Sequence, residues 1–305
     1  MHRILGLVLT VLLWGGNAAA QDLTGVQVHL TIDDVPWQQA HDLPLTRTVS
    51  SLHEYNNRLI DTLRKQRVSA SVFVVCSRLR ENDGLISIWQ NAGHVVGNHT
   101  NAHAGASRID QAAWLDGVSV CQHTLARRLG KPPKWFRFPY LDHGPDASSQ
   151  AAIRKGLKER GLTNSPVTAA TSEWFVARHY RRAFEENNTQ RQAFLAKEYI
   201  SHMLKAVEES HRLALEIAGR AVPQTLLIHL NELNADHLDT LLTALKDAGA
   251  TFVPLDTAMA DEVYTRPSLY TGRGGTSWFH RIRPTKTYWF GIEQKRLSDL
   301  LGSLK

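Results

Sequence analysis

The feature that most constrains the fold is a regular alternation of apolar, strand-like runs with amphipathic, helix-like segments between residues 26 and 260. The seven strand-like runs are VQVHLTI (26–32), SASVFVV (69–75), HVVGN (94–98), WFRF (135–138), SPVTAA (165–170), TLLIHL (225–230) and ATFVPL (250–255). Helical patterns separate them at 51–66, 84–93, 111–130, 147–161, about 179–219 and 235–249. Strands that alternate with helices run parallel, joined by crossovers. We therefore predict an α/β fold, a distorted (β/α) barrel of about seven parallel strands, with an open doubly wound sheet as the alternative.

The first twenty residues have a different character. A short basic start precedes an apolar run from Ile4 to Trp14, and three alanines follow at positions 18–20. This order is typical of a secretory signal peptide, with cleavage expected before Gln21, and an uncleaved anchor is the alternative. The apolar run is short for a membrane span. We therefore expect an exported protein, periplasmic or secreted, with no stable membrane span after cleavage.

The rest of the chain changes composition near residue 260. Residues 21–260 carry the alternating pattern and are predicted to form the catalytic domain. Residues 261–305 mix glycines, aromatics and arginines, and we expect them to form an extension that packs on the barrel. The formal net charge is +6, but the basic residues are scattered and no nucleic-acid-binding motif accompanies them, so no nucleic-acid partner is predicted.

The chain has two cysteines, Cys76 and Cys121. In an exported protein, an even number of cysteines is compatible with a disulfide. Two buried free thiols are the alternative, because the spacing of the two residues does not show whether their Cα atoms approach within bonding distance.

Polar residues capable of chemistry lie at the C-terminal ends of five strand-like runs. They are Asp33-Asp34, His99 with His103, RFPY (137–140), Glu173-Trp174 and His229. In α/β barrels the βα loops converge at this edge, which hosts the active site. Five such clusters in register therefore predict one site.

These clusters first indicate a metal centre. His99 and His103 are four residues apart, and on a helical turn both imidazoles would reach one ion. Asp33 and Asp34 are adjacent carboxylates at a buried strand end, where cations or hydrogen bonds must offset their repulsion; a turn cap is the alternative role. Two histidines and one carboxylate leave an open position on the metal, as in catalytic sites. Thr100 stands where a zinc protease needs glutamate, which excludes that class.

The motifs TIDD, HTNAH, RFPY and LLIH, in this order, resemble those of the polysaccharide deacetylase family, the NodB-like carbohydrate esterases. The resemblance covers most of residues 26–260. It implies the NodB homology fold and a metal-dependent hydrolase that removes N- or O-acetyl groups from a chitin-like, xylan-like or peptidoglycan-like carbohydrate. The expected partner is an acetylated carbohydrate polymer or oligosaccharide. The expected cofactor is one divalent ion; zinc suits the donors best, and cobalt, nickel or manganese are alternatives.

The resemblance also assigns roles to the matching positions. The implied metal ligands are Asp34, His99 and His103. The implied catalytic residues are Asp33 as base, His229 as general acid, Arg137 as the group that holds the base, and Tyr140, whose backbone N–H would stabilise the oxyanion.

Two departures from the family pattern affect the expected cleft. Val35-Pro36-Trp37 follow the aspartates where glycine is usual, so Trp37 is a candidate for a cleft wall. The sequence TSEWF matches another family motif loosely. We expect Glu173 to pair with Arg137, and Trp174 either to line the cleft or to pack in the core.

Two other functions are compatible with these residues. One is hydrolysis of another non-peptide amide on the same metal site, since the fold would be shared and only the cleft would differ. The other is an inactive carbohydrate-binding homologue. The presence of Asp33, Arg137 and His229 argues against it, because binding alone needs neither a base nor an acid.

Overall fold

The computed structural model describes residues 21–38, 49–284 and 289–302. The predicted signal peptide, residues 1–20, lies outside them. The strands are β1 (Gln27–Val35), β2 (Ala70–Val74), β3 (Val95–Asn98), β4 (Trp135–Phe136), β5 (Thr163–Asn164), β6 (Gln224–His229) and β7 (Thr251–Phe252). The helices are α1 (Val49–Gln66), α2 (Leu85–Asn91), α3 (Gln111–Leu129), α4 (Ala147–Glu159), α5 (Glu173–Glu185), α6 (Thr189–Ala218), α7 (Glu232–Asp247), α8 (Leu255–Met259), α9 (Trp278–Ile282) and α10 (Trp289–Gly302). Short 3₁₀ turns occupy Cys76–Arg78, Pro139–Leu141 and Glu262–Thr265.

The strands form one parallel sheet in the order β5-β4-β3-β2-β1-β6, and β7 pairs with the start of β1. Strand β1 is central, because it bonds to β2 on one side and to β6 on the other. Its residues from Val28 to Val35 are all buried. A strand covered on both faces contributes apolar side chains such as Leu30 and Ile32 to the core, each stabilising the fold by about 1.5–3 kcal/mol. The predicted parallel α/β fold is confirmed.

One continuous segment, residues 163–170, connects the two ends of this sheet. At its start β5 pairs with β4, and the Ser165 N–H donates to the Phe136 carbonyl at 2.8 Å. Further along, the Ala169 N–H donates to Thr225 O at 3.1 Å and Ala169 O accepts from the Leu227 N–H at 3.2 Å. The sheet therefore curls round on itself through this segment, which confirms the distorted barrel. The segment contributes only this bridge in place of the full strand predicted at 165–170.

The long helix predicted at about 179–219 is wrong in its extent, because the chain breaks between α5 and α6. Asn187 has a positive φ of 52°, and the Asn188 side chain accepts the Arg191 N–H at 2.9 Å. Asparagine tolerates the left-handed region and is a strong N-cap, so this pair ends one helix and begins the next. Helix α5 therefore ends at Glu185; it begins at Glu173, at the mouth of the barrel.

Cys76 and Cys121 form a disulfide, with their Cα atoms 5.3 Å apart. The bond joins the turn after β2 to α3, which resolves the alternative that the sequence left open. Within the parts of the chain that the structure describes, none of the helices combines the length and the apolar character needed to cross a membrane.

Residues of the C-terminal segment contact residues 163–170, the segment that closes the barrel. The Trp278 N–H donates to Val167 O at 2.6 Å, and its indole N–H donates to Val263 O at 2.8 Å. Trp278 and Phe279 also pack with Leu213 of α6 in one apolar cluster. These contacts place the segment beside the mouth of the barrel.

Candidate active site and metal centre

A cavity of about 1070 Å³ opens where the C-terminal ends of the strands meet. Its polar lining comes from different strands and the loops after them: Asp33 and Asp34 from β1, His99 and His103 from the loop after β3, Tyr140 from the turn after β4, and His229 from β6. Trp37 and Trp174 line it as well. Parallel strands bring their carboxyl ends to one edge, so clusters far apart in the chain converge there.

Asp34, His99 and His103 form a group whose ligand atoms all lie within 4.8 Å of one another. His103 Nε2 lies 3.2 Å from Asp34 Oδ1, and His99 Nε2 lies 3.9 Å from the same oxygen. Ligands of a tetrahedral zinc ion with bonds near 2.0–2.1 Å are separated by about 3.3 Å. Asp34 Oδ1 is buried, and Arg78 Nη1, 3.1 Å away, is not in hydrogen-bonding geometry with it, so the oxygen has lone pairs for an ion. The three residues therefore fit a divalent metal.

The two histidines are oriented and neutral. The His99 Nδ1 atom lies 2.8 Å from Arg137 O, a contact that directs Nε2 toward Asp34. Burial lowers the pKa of His99 well below its ordinary value, and burial lowers the pKa of His103 to about 4. Only a neutral imidazole can ligate a metal, so both are prepared for that role.

The expectation that His103 sits one turn into a helix is wrong. It lies in a loop, with positive φ values of 66° at Thr100 and 54° at His103, and α3 begins only at Gln111. The His103 N–H donates to Thr100 Oγ1 at 3.0 Å, which holds the turn. A local hydrogen bond of a threonine side chain thus replaces the helical bond that the four-residue spacing suggested.

Arg78 is a residue that the sequence reasoning missed. It follows the C-terminal end of β2, and its Nη1 lies 3.1 Å from Asp34 Oδ1. Burial alone would raise the pKa of Asp34, but Arg78 and, after it, His103 outweigh that effect and hold the pKa well below its usual range. The position of Arg78 just after a strand was a signal that could have identified it from the sequence, because the same reasoning selected the other clusters.

Asp33 lies beside Asp34 but has different neighbours. Arg137 Nη1 is 3.4 Å from the Asp33 carboxylate, and Arg137 Nε donates to Ser165 O at 2.7 Å. Burial raises the pKa of Asp33 to about 6, against the opposing charge of Arg137. Asp33 is thus ionised at neutral pH yet still basic enough to accept a proton.

His229 pairs with Glu173, not with the aspartates. Glu173 is fully buried at the start of α5, and its Oε2 lies 2.8 Å from His229 Nδ1. The side-chain amides of Asn231 and Asn234 donate to the other Glu173 oxygen. Burial by itself lowers the pKa of His229, but Glu173, followed by Asp34 and Asp33, outweighs it and raises the pKa to about 9.

The expectation that Glu173 pairs with Arg137 is therefore wrong. Arg137 is held by Asp33 and by the Ser165 carbonyl, while Glu173 is directed to His229 because α5 begins beside the end of β6. The sequence offered no signal for the two asparagines that bind Glu173. They are remote from it in the chain, and only the helix that starts after β6 brings them close.

Tyr140 lies in the 3₁₀ turn after β4, with a φ of 56°. Its ring packs 4.5 Å from that of His103, measured between centroids. Leu141 also has a positive φ, of 53°, and residues in this region are costly by about 1–3 kcal/mol each unless their surroundings hold them. Gly275 provides such a contact: a Cβ there would lie 1.7 Å from Tyr140 O, so only glycine fits.

Both predicted cleft tryptophans line the cavity. Trp37 is buried and packs against Tyr55 with ring centroids 4.8 Å apart. Trp174 is half-buried at the start of α5. Gly275, Thr276 and Phe290 add a wall from the C-terminal segment, which lay outside every motif.

Residues 20–162 match the sequence model of the polysaccharide deacetylase family. Over those residues the chain is similar to this family. The match includes Asp33, Asp34, both candidate histidine ligands and the RFPY motif, so the resemblance found in the sequence is confirmed. Glu173 and His229 lie beyond the matched residues.

Three proteins that are similar to this chain are named as peptidoglycan deacetylases. The peptidoglycan-N-acetylmuramic acid deacetylase PdaA of Bacillus subtilis is 24% identical over 216 residues, which are 70% of each chain. A peptidoglycan-N-acetylglucosamine deacetylase of Bacillus cereus is 27% identical over 114 residues, 37% of this chain and 36% of that protein. The deacetylase PgdA of Listeria monocytogenes is 25% identical over 65% of this chain and 34% of its own length. The chain thus spans about a third of the length of the latter two.

Solved structures share the fold of this domain. A mutant, with restored activity, of a family 4 carbohydrate esterase pseudoenzyme from Bacillus anthracis superposes with a TM-score of 0.54 at 18% identity, over 77% of this chain and 68% of that one. A family 4 acetyl xylan esterase from Clostridium thermocellum, in complex with a cobalt ion, gives 0.51 at 19% identity, over 77% and 90%. At these identities the comparison establishes the fold alone.

Proposed function

We propose that this protein is an exported, metal-dependent hydrolase that removes N- or O-acetyl groups from a carbohydrate polymer. The observation that carries the proposal is the presence, in one cavity, of a base, an acid and a metal-ligand set. These are Asp33, which Arg137 contacts from outside the cavity, His229, which Glu173 contacts in the same way, and Asp34 with His99 and His103. The family match and the relatives named as peptidoglycan deacetylases support it.

Asp34, His99 and His103 would hold one divalent ion, zinc in our proposal, since two imidazoles and a carboxylate suit it. When bound, such an ion supplies Lewis acidity toward an acetyl carbonyl and lowers the pKa of water. Arg78 keeps the Asp34 carboxylate ionised, as its ligand role requires. His99 keeps its Nε2 directed at the site through its contact with the Arg137 carbonyl.

Asp33 accepts the proton of the attacking water. With a pKa of about 6 it is ionised at neutral pH, and Arg137 both favours the anion and fixes the carboxylate. His229 donates a proton to the departing nitrogen or oxygen. Glu173 occupies its Nδ1, so Nε2 is the atom that faces the cavity, and a pKa of about 9 keeps the ring protonated at neutral pH.

The backbone N–H of Tyr140 donates to the oxyanion that develops on the acetyl carbonyl. The positive φ of Tyr140 is an unusual backbone geometry at the mouth of the cavity, which supports a positioned N–H group. Trp174 offers an aromatic face to a sugar ring. Acetate and a free amine or hydroxyl are the products.

The test is acetate release by purified, metal-loaded protein from acetylated chitin-type, xylan-type and peptidoglycan substrates. The Asp33→Asn variant is the control, since it removes the base. Release by the wild type and not by the variant supports the proposal. No release from any substrate, with the metal bound, contradicts it.

A further inference from the structure

The walls of the cavity are rich in arginine. Among the described residues that line it, four are arginines and three are acids: Arg78, Arg80, Arg178, Arg181, Asp33, Asp34 and Glu232. Each of the three acids is paired with an arginine: Asp33 contacts Arg137, Asp34 contacts Arg78, and Glu232 binds Arg181. A divalent cation would add to the positive charge, so the cavity attracts anions.

Arg78 places part of this charge at the centre of the site. Its side chain is 12% exposed, and its Nη1 lies 3.1 Å from Asp34 Oδ1 and donates to Trp37 O at 3.0 Å. Both contacts use one nitrogen of a guanidinium that carries N–H groups on two more. A planar guanidinium binds a carboxylate through paired N–H groups. Because Arg78 is adjacent to the metal ligands, we expect a carboxylate bound there to lie on the sugar residue that carries the acetyl group.

Helix α5 adds positive charge farther from the metal ligands than Arg78. Trp174, Arg178 and Arg181 all line the cavity and are spaced i, i+4 and i+7, so they share one face of the helix. Arg181 is paired with Glu185 and Glu232, whereas Arg178 is exposed. An aromatic ring followed by an exposed cation suits a sugar that stacks on the ring and carries an anionic substituent. Arg182, the next residue, is outside the cavity and pairs with Glu186.

We propose that the preferred substrate is an acetylated glycan bearing a carboxylate on the residue that is deacetylated. The proposal rests on the proposed function and extends it from acetylated sugars in general to anionic ones. The carboxylate has two possible sources: an ether-linked acid, as in a muramic acid, or a ring carboxyl, as in a uronic acid.

The experiment compares matched pairs of oligosaccharides. Each pair has the same acetylated sugar with a free carboxylate or with its methyl ester, in one muramic-type and one uronic-type series. A charge-assisted hydrogen bond at a shielded site favours the free acid by about tenfold or more in kcat/KM. The series in which the free acid is preferred identifies which of the two carboxylates the protein recognises. Equal kcat/KM for acid and ester in both series overturns the proposal.

Variants test the arginines themselves. Arg78→Gln should abolish the preference for the acid and Arg78→Lys should retain part of it, with metal content measured because Arg78 contacts Asp34. Arg178→Gln should lower kcat/KM for the acid by about two- to fivefold, as expected of an exposed cation. Arg182→Gln is the matched control and should change nothing. A loss that is equal for Arg178→Gln and Arg182→Gln, or equal for acid and ester, contradicts the proposal.

Binding measurements test this proposal independently of the proposed deacetylase function on which it rests. Calorimetry on metal-loaded Asp33→Asn measures the affinity for each acid and ester without hydrolysis. Tighter binding of the acid with no acetate release by the wild type supports the anionic ligand and overturns the deacetylase. Release from neutral glycans with equal affinity for acid and ester supports the deacetylase and overturns the anionic ligand.

Discussion

Glu173 Oε2 lies 2.8 Å from His229 Nδ1, which joins the first residue of α5 to the last residue of β6. The carboxylate has no exposure to solvent and is fixed by two asparagine side chains as well. It therefore fixes the orientation of the imidazole and raises its pKa. The acid that we propose for the reaction depends on a residue that itself does not line the cavity.

The Glu173–His229 pair predicts the alkaline limb of the pH profile. A general acid must be protonated, so kcat/KM should fall as the pH rises through the His229 pKa of about 9. Glu173→Gln removes a charge that raises this pKa, so the limb should move to lower pH. Glu208→Gln, an exposed change on α6, is the control. An unmoved limb in Glu173→Gln would show that His229 is not the titrating acid.

The pKa of Asp33 predicts the acidic limb of the pH profile of kcat/KM. A general base must be ionised, so kcat/KM should fall as the pH drops through its pKa of about 6, and a bound cation moves this point lower still. Asp33→Asn should reduce kcat by about 10²–10⁴-fold, the usual contribution of general-base catalysis. It should retain the metal, whereas Asp34→Asn should bind it more weakly. Metal analysis and kcat of both variants check this; the reverse pattern would exchange the two roles.

The ligand set predicts about one metal ion per chain, the stoichiometry of one such site. His99→Ala removes the more buried of the two imidazoles and should lose most of the metal together with activity. His123→Ala, an exposed histidine on α3, serves as the matched control. Elemental analysis of the three proteins gives the answer. Full occupancy in His99→Ala would remove that residue from the ligand set.

Gly275 predicts a link between the C-terminal segment and the oxyanion position. Gly275→Ala would place a methyl group 1.7 Å from Tyr140 O, so the turn must shift. We expect kcat to fall by about tenfold or more, approaching the 10²–10³-fold cost of a lost oxyanion donor, while the metal stays bound. Gly302→Ala, where a Cβ meets nothing within 4 Å, is the control. Unchanged kcat in Gly275→Ala would show that the segment does not position Tyr140.

The disulfide predicts a stability effect rather than a catalytic one. Cys121→Ser opens a bond between residues 45 positions apart and should lower the free energy of unfolding by about 2–4 kcal/mol. Urea denaturation of the oxidised protein and the variant measures the difference. An equal free energy of unfolding in both would mean that the bond adds nothing to stability.

The parallel direction of the strands and the edge that carries the site followed from local patterns. Each strand-like run is short and apolar, and its polar residues come just past its end, so parallel pairing alone brings Asp34 and His99 together. The conformation of the loop that carries His103 could not be predicted from the sequence, since a hydrogen bond to the Thr100 side chain decides it. The partner of Glu173 did not follow either, because it depends on where α5 begins after the closure of the sheet. The division at residue 260 stays a prediction.

The path of the chain through residues 163–170 has a consequence for dissecting the protein. The matched family segment stops at residue 162, before β5, this connecting segment and β6. A fragment ending there would leave β1 without its β6 neighbour and β4 without β5, which exposes two hydrogen-bonding edges of a sheet that is apolar on both faces. Unpaired edges of that kind recruit other chains. Residues 21–162 expressed alone should therefore aggregate, although they contain every candidate metal ligand.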